Sequence, residues 1–509
     1  MDIAEQFPVT IYNSLGRTKQ QFEPITPGFV GIYVCGPTVY GDPHLGHARS
    51  AVTFDVVRRY FEFLGYRVRM VRNITDVGHL ENEVSEEGED KISKTARAEK
   101  LEPMEIVQTY TLRYHDAMAK LNNLPPHVEP SATGHIIEQI EAIKKMLENG
   151  YAYESDGSVY FDLKKYADEH TYGALSGKVL DDLLSGTRRT AGQQEKRNSL
   201  DFALWKKAEP GHIMRWPSPW GEGFPGWHLE CTTMSTKYLG ERFDIHGGGL
   251  DLQFPHHEAE IAQGVGTTGV EPVNYWMHNN MLTIEGQKMS KSLGNFITLE
   301  QLFSGDHPLL EDAYDPATVR FFILQAHYRS SLDFSNQALQ AASKGLDRLR
   351  RGVDALRELG VYESDGPDFS GTAGRSGNEN DTAAVERCRD VFRAMSDDFG
   401  TPQALSSLFE LTSAVHRHRS GEAELADDVL RLIGATMRRT ISEILGLELA
   451  EPEQAGAGRD ELVQLLVSVR KEARERKDFA TGDRIRDGLL ELGVKLVDSK
   501  EGTKVEYVD

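Results

Sequence analysis

Hydrophobic and polar positions alternate in "GFVGIYVCGPTVY": Val30, Ile32 and Val34 fall on one side, Gly31 and Tyr33 on the other, until Gly36-Pro37 breaks the pattern. A period of two ending in Gly-Pro predicts a strand followed by a turn. In "GHARSAVTFDVVRRYFEFLG" the apolar Val52, Val56, Tyr60 and Leu64 recur near helical spacing, and Gly65 closes the segment. That spacing predicts a helix. "YRVRMVRNIT" returns to strand. Strand, helix and strand in this order predict a right-handed crossover unit of a parallel sheet.

The rest of the chain divides by pattern. Residues 78–100 are charged and predict loop or mobile helix. Helical periodicity dominates residues 101–153, and residues 154–200 are mixed and polar. "MHNNMLTI" reads as a strand leading into the loop "QKMSKSLGNF", and from Pro316 onward the pattern is almost wholly helical. A stretch rich in Gly, Ser, Asp and Asn predicts a flexible loop over 361–384. "EPEQAGAGRD" precedes two short helical patterns and a hairpin. The fold class expected is α/β. A Rossmann-like, doubly wound parallel sheet occupies 1–315 with an insertion at about 101–205, a mainly α-helical bundle follows over 316–450, and a small α+β domain closes the chain over 459–509.

Composition narrows the function. Hydrophobic residues make up 39% of 509, and no run approaches the ~20 apolar residues of a membrane span. The first twenty residues lack a basic segment followed by an apolar one, so no secretion signal is expected. Three cysteines, Cys35, Cys231 and Cys388, argue against a disulfide framework and for a reducing, cytoplasmic address. The net charge of −22 disfavours a sequence-indifferent nucleic-acid coat. It leaves room for a local basic face, such as Arg470, Lys471, Arg474, Arg476 and Lys477 in "VRKEARERK".

Two short motifs carry candidate chemistry. In "PHLGHARS", His44 and His47 stand three apart at the predicted strand–helix junction, so both imidazoles project to one side. Such junctions bind phosphates at the helix N-terminus, and Gly46 lets a ligand approach the backbone. "KMSKS" offers Lys288 and Lys291 on long stems in a Gly-flanked loop. Histidines on one side and ammonium groups on the other suit the charge that builds on phosphates when ATP activates a carboxylate. A third set is dispersed: Cys35, Cys231 and the "HHEAE" segment, in which His256 or His257 shares a helical face with Glu260. Two thiolates, an imidazole and a carboxylate are compatible with zinc, although the spacing alone equally allows two buried free cysteines. Ile261 stands where a zinc-protease motif needs its second histidine, which excludes that reading.

"HLGH" and "KMSKS" in this order resemble class I aminoacyl-tRNA synthetases. "YVCGPTVYGDPHLGHARS", "NITDV", "GWHLECTTMS", "FDIHGGGLDLQFPHHEAEIAQ", "YRSSLDFS" and "AMSDDFGTPQAL" further resemble the cysteinyl-tRNA synthetase family, from about residue 8 to about residue 505. The resemblance implies activation of L-cysteine by ATP, with accompanying Mg2+, and transfer to tRNA(Cys). It implies one zinc held by Cys35, Cys231, His256 and Glu260, reading the substrate thiolate so selectively that no editing domain is needed. It further implies catalytic roles for His44, His47, Lys288 and Lys291, ATP contacts from these and from Gly46, Gly248 and Asp251, and substrate contacts from Gly36, Thr75 and Trp227. The 316–450 region would contact the tRNA stem, the 459–509 block the anticodon, and the enzyme would be a monomer without membrane attachment. "GHLENEVSEEGE" departs from the family as an insertion before "DKI". A cysteine ligase that charges an amino sugar shares these motifs but lacks the full C-terminal block. A non-catalytic tRNA-like-binding paralogue would carry damaged signatures.

Overall fold

The structure is a computed structural model and describes residues 3–78, 80–82, 87–179, 195–209, 211–290, 293–365, 369, 378–449, 457–491, 494–499 and 502–507. At its centre lies a parallel sheet of four strands: β1 (Phe29–Val34), β2 (Arg67–Arg72), β3 (Phe243–Gly249) and β4 (Val273–Asn279), in the order β4-β3-β1-β2. The register sets Ile32 beside Ile245 and Met70, and Val34 beside Gly247 and Arg72. The crossover from β1 to β2 is the helix α1 (Leu45–Phe63), as the apolar spacing predicts. α1 covers one face of the sheet, where the Phe54 ring fills the space that a side chain at Gly247 would need. The opposite face carries α2 (Trp227–Leu239), whose Leu239 packs over Gly31. α3 (His256–Thr268) connects β3 to β4. Chain order runs outward from β1 in both directions, so a crevice opens at the carboxyl ends of β1 and β3.

Three stretches differ from the periodicity reading. The start of the polar stretch, residues 154–155 and 158–161, belongs to a five-stranded antiparallel sheet, ordered 216–218, 221–225, 202–207, 158–161 and 152–155. The charged 78–100 segment folds as a strand pair, Leu80–Asn82 with Glu87–Asp90, and a helix, Lys91–Glu99, capped by Asp90. "MHNNMLTI" is two strands, β4 and Leu282–Ile284: the Asn280 N–H donates to the Tyr328 carbonyl and its side chain accepts from Met281 N–H, which turns the chain. Of the expected flexible loop 361–384, residues 366–368 and 370–377 lie outside the described residues, and its last part is already helical from Glu379.

Packing divides the chain into two compact units, Met1–Glu448 and Leu449–Asp509. In the first, the helices Pro316–Leu324, Asn336–Glu358, Glu379–Ser396, Thr401–Arg419 and Asp427–Arg438 follow the sheet. Two buried guanidiniums tie them to α1. Arg49 donates to the carbonyls of Ile323, His327 and Ser330 at 2.8, 2.8 and 3.1 Å. Arg320 pairs with Asp55 at 2.5 Å and donates to the Leu121 and Leu445 carbonyls. The second unit is two helices, Ala457–Glu475 and Phe479–Glu491, with an antiparallel pair, Val494–Ser499 and Gly502–Tyr507, around Val463, Leu489 and Val494. No helix among the described residues is long and apolar enough to cross a membrane.

Candidate activation site and metal-ligand cluster

The carboxyl end of β1 organises the site. Cys35 follows the last strand residue, and its N–H donates to the Gly247 carbonyl at 3.1 Å, continuing the ladder to β3. The Gly36 N–H donates to Asn73 Oδ1 at 2.8 Å. A Cβ at Gly36 would lie 1.5 Å from the Asn73 carbonyl oxygen, so only glycine fits between β1 and β2. His44 then caps α1: its Nδ1 accepts from Gly46 N–H at 3.1 Å, and its own N–H donates to His47 Nδ1 at 3.3 Å. Both Nδ1 atoms accept, so each ring carries its proton on Nε2 and presents a donor there. The rings stack with centroids 3.9 Å apart. Burial lowers the His47 pKa to about 4, so that ring is neutral at ordinary pH.

"KMSKS" meets this helix start. Lys288 ends the strand pair Leu282–Ile284 with Gln287–Lys288, and its side chain is exposed. Asn295 clamps the loop, accepting from Ser290 N–H at 2.8 Å and donating to the Lys288 carbonyl at 3.1 Å. The Met289 methyl lies 4.0 Å from where a Cβ on Gly46 would stand, the Phe296 ring meets His44 edge-on at 5.1 Å, and Leu299 N–H donates to the Pro43 carbonyl at 2.8 Å. Lys291 lies outside the described residues. Asp251 is exposed on the turn Leu250–Gln253 after β3, and Gly248 backs onto the His257 ring.

Under this junction, Cys35, Cys231, His256 and Glu260 converge, with one ligand-capable atom of each within 4.8 Å of the others. Cys35 Sγ is 3.7 Å from Cys231 Sγ and 3.8 Å from Glu260 Oε1. His256 Nε2 is 3.4 Å from Cys231 Sγ and 3.2 Å from Glu260 Oε1. Burial opposes the Cys35 thiolate, but the hydrogen-bonded Cys231 thiol and the His256 ring bring its pKa down to about 6. Burial, then Cys35, pushes Cys231 well above the usual thiol value. Burial also works against the charges of His256 and Glu260, yet Cys35 and Glu260 raise His256 to about 10, and His246 and His256 hold Glu260 at about 2. The cluster therefore holds negative charge ready, with protons on Cys231 and His256 that a metal ion would displace.

A further layer surrounds the four. His246 Nε2 lies 2.8 Å from Glu260 Oε2, and its ring stacks on Trp276 at 4.5 Å. His228 Nδ1 lies 3.0 Å from His256 Nδ1, turning His256 Nε2 toward the sulfurs. His257 Nε2 is 3.2 Å from Cys35 Sγ, and its Nδ1 contacts His278. Cys35, His246, His257 and Glu260 thus form a second, overlapping set able to hold a metal. The Trp227 ring packs on His256 at 4.5 Å. Thr75 is buried, and its Oγ1 donates to Glu230 Oε1 at 2.5 Å. Sequence reasoning missed His246, His278, Asn73, Glu230 and Asn295. The signal for His246 and His278 was a single imidazole directly following apolar residues of a strand, at "FDIHGGG" and "YWMHNN".

Comparison with known proteins sharpens this picture. Residues 21–344 match the tRNA synthetases class I (C) catalytic domain, and residues 390–450 match the DALR domain. The chain is 55% identical over 507 residues to the cysteine–tRNA ligase of Porphyromonas gingivalis, covering 98% of this chain and 99% of that one. Against the cysteine–tRNA ligase of Chlorobaculum tepidum, identity is 47% over 97% of each. In fold it is similar to a Mycobacterium tuberculosis methionyl-tRNA synthetase in complex with methionyl-adenylate (TM-score 0.56, 15% identity, 86% of this chain and 94% of that one). It is likewise similar to an Agrobacterium radiobacter LeuRS (TM-score 0.58, 12% identity, 84% of each). A class I parallel sheet carrying both signatures, with near-full-length identity above 50%, shows that this chain belongs to the cysteine–tRNA ligase family.

Proposed function

We propose that the enzyme activates L-cysteine with ATP to cysteinyl-adenylate and transfers it to the 3′-terminal adenosine of tRNA(Cys), with a zinc ion reading the substrate thiol. The observation that carries this reading is one strand end. Cys35 of the metal-capable cluster and His44 of the helix cap both follow β1, so a substrate sulfur seated at the cluster leaves its carboxylate near the two Nε2 donors.

The residues present fit zinc. Ligands about 2.0–2.3 Å from a tetrahedral ion stand about 3.3–3.8 Å apart. Four of the six separations among Cys35, Cys231, His256 and Glu260 run from 3.2 to 3.8 Å, and all lie within 4.8 Å. When bound, the ion supplies a soft Lewis acid that favours a thiolate over a hydroxyl or a methyl group. His246 fixes the outer oxygen of Glu260, and Trp227 walls the pocket beside His256. The Gly36 backbone and Thr75 position the amino acid. The substrate carboxylate attacks the α-phosphate of ATP, which arrives with Mg2+, and pyrophosphate leaves. His44 and His47 donate from Nε2 to the phosphates while Lys288 and Lys291 neutralise the leaving pyrophosphate. Gly46, Gly248 and Asp251 border the nucleotide. A ribose hydroxyl of tRNA then attacks the acyl carbon and AMP departs. In this reading 1–315 is the catalytic domain with its insertion, 316–450 meets the tRNA stem, and 459–509 the anticodon.

The test is ATP–pyrophosphate exchange with each amino acid in turn, on protein assayed for bound zinc. Exchange driven by cysteine alone, with one zinc per chain, is expected. Exchange driven equally by serine or alanine would refute the metal reader. Exchange with cysteine but no charging of tRNA would move the amino-sugar ligase forward.

A further inference from the structure

Beside Cys231 stands a carboxylate that the chemistry above leaves unused. Trp227, Glu230 and Cys231 occupy positions i, i+3 and i+4 of α2, so the pocket wall, a carboxylate and a metal-capable thiol share one helical face. Glu230 is 2% exposed, and a carboxylate is almost never buried this deeply unless it is paired. Its side chain has one hydrogen-bond partner among the described residues, the Thr75 hydroxyl, which donates to Oε1. Its Oε2 is buried and accepts from none of them.

Asn73 fixes the direction of the Thr75 bond. Its Oδ1 accepts from Gly36 N–H at 2.8 Å, and its amide nitrogen donates to Thr75 Oγ1 at 3.1 Å. Thr75 therefore receives one hydrogen bond and gives its own proton to Glu230. What remains is a second lone pair on Thr75 and the Oε2 of Glu230, two acceptors that no donor among the described residues meets. A seat for the substrate carboxylate would present donors. Acceptors alone suit a cation with several N–H groups, and the substrate brings one. In cysteine the α-ammonium is two carbons from the sulfur, so a sulfur seated at the cluster holds it close to the α2 face that carries Cys231 and Glu230. Resting on the cysteine-activation reading above, we propose that Glu230 positions the substrate's α-ammonium through Thr75, turning a lone pair of the threonine hydroxyl onto it. The pair thereby makes the site reject thiol acids that carry the sulfur and the carboxylate without the amino group. A metal that reads sulfur does not make that distinction, whereas a site built to hydrogen-bond a group rejects the analogue lacking it.

The test measures, on zinc-loaded full-length enzyme, the dissociation constants of cysteine and of 3-mercaptopropionate, which is cysteine without its amino group. The variants are Thr75→Val, Glu230→Met, the two together, and Glu230→Gln. Each nearly keeps the side-chain volume, and the double variant removes both partners of the buried bond at once, which can be nearly neutral for stability. The wild-type enzyme prefers cysteine. Glu230→Met lowers that preference roughly 10- to 150-fold, entirely through weaker binding of cysteine. Thr75→Val does the same, and the double variant loses no more than either alone, because one residue acts through the other. Glu230→Gln keeps an acceptor oxygen and recovers most of the preference. Zinc content and the dissociation constant of 3-mercaptopropionate stay at wild-type values throughout. An unchanged preference in Glu230→Met or in the double variant would overturn the proposal. So would equal weakening of both ligands, the mark of a merely structural role, or losses that add in the double variant, which would separate Glu230 from Thr75. Failure of the wild-type enzyme to exchange pyrophosphate with cysteine would instead remove the underlying reading, and is seen in a separate assay.

Discussion

Two overlapping ligand sets share Cys35 and Glu260, and replacing Cys231 distinguishes them. If Cys35, Cys231, His256 and Glu260 hold the ion, Cys231→Ser removes a thiolate from the coordination sphere. If Cys35, His246, His257 and Glu260 hold it, Cys231 is only a neighbour. The geometry favours the first. His246 Nε2 stands 2.8 Å from Glu260 Oε2, a hydrogen-bond length, and His257 Nε2 stands 4.0 Å from Glu260 Oε1. Two nitrogen or oxygen ligands on one zinc stand about 3.3 Å apart, as His256 and Glu260 do at 3.2 Å. His246 therefore orients a ligand, and losing such a support costs about 10- to 100-fold in metal affinity, or about 1.4–2.8 kcal/mol. Losing Cys231 should cost more than that. The assay is zinc competition against a chromophoric chelator, together with the thiolate-to-metal charge-transfer band of the cobalt-substituted protein. Cys231→Ser is expected to lose zinc by more than about 100-fold and to halve that band, whereas His246→Gln keeps the band and loses affinity moderately. An intact band in Cys231→Ser, with the heavier loss in His246→Gln, would refute the assignment.

Other outcomes follow from the same contacts. Lys288→Ala should slow adenylate formation by roughly 100- to 1,000-fold and leave the KM for cysteine unchanged; an unaltered single-turnover rate would remove Lys288 from phosphate chemistry. Gly36→Ala forces a Cβ against the Asn73 backbone and should cost about 1–3 kcal/mol or more, read as a lower denaturant midpoint with reduced zinc content. Arg320→Leu leaves Asp55 buried beside Arg59 alone and should destabilise by about 3–5 kcal/mol, again read by denaturant unfolding. Burial holds His47 at about pKa 4 in the folded chain against 6.5 unfolded. The unfolded state therefore binds more protons between those values, and stability from this ring is full above pH 6.5 and lost as pH falls toward 4. The stability of His47→Asn relative to wild type should accordingly rise as pH falls through that window.

The parallel core was legible because β1 is a short apolar run ending in Gly36-Pro37, β2 carries Val68, Met70 and Val71, and α1 repeats Val52, Val56 and Tyr60 on its buried face. The five-stranded antiparallel sheet was not. Its hairpin 152–161 turns on Asp156-Gly157, both at positive φ, which is a two-residue hairpin signal. The two strands of that hairpin are only four residues long, and Ser158, Val159, Tyr160 and Phe161 are all buried, so no alternation survives there. The metal-ligand cluster was legible only through family resemblance. Cys35 and Cys231 are 196 positions apart, and what joins them is the β1–β3 register and the helix lying behind it, neither of which spacing contains. Choosing His256 over His257 was undecidable on a helical wheel, since both lie within reach of Glu260. It turns on His228, which contacts the Nδ1 of His256, and on His278, which engages His257 instead.

On the proposed function, one strand end would serve two chemistries, and the backbone between them shows how. Cys35 and His44 are nine residues apart, and the chain between them is held by Gly36 against Asn73 and by Thr75 N–H on the Pro37 carbonyl at 3.1 Å. A site that identifies its substrate by sulfur and activates it by carboxylate needs those two points at a fixed separation. The separation is short, since cysteine has only one methylene between its sulfur and its α-carbon. Rigid backbone contacts between adjacent parallel strands supply that constancy better than side chains on mobile loops. In the proposed reaction "KMSKS" would serve the departing group, pyrophosphate, and Asn295 anchors that segment through Ser290 N–H and the Lys288 carbonyl. On the proposed function, substrate identity would be read on fixed sheet geometry, and the signature loop would serve the leaving group.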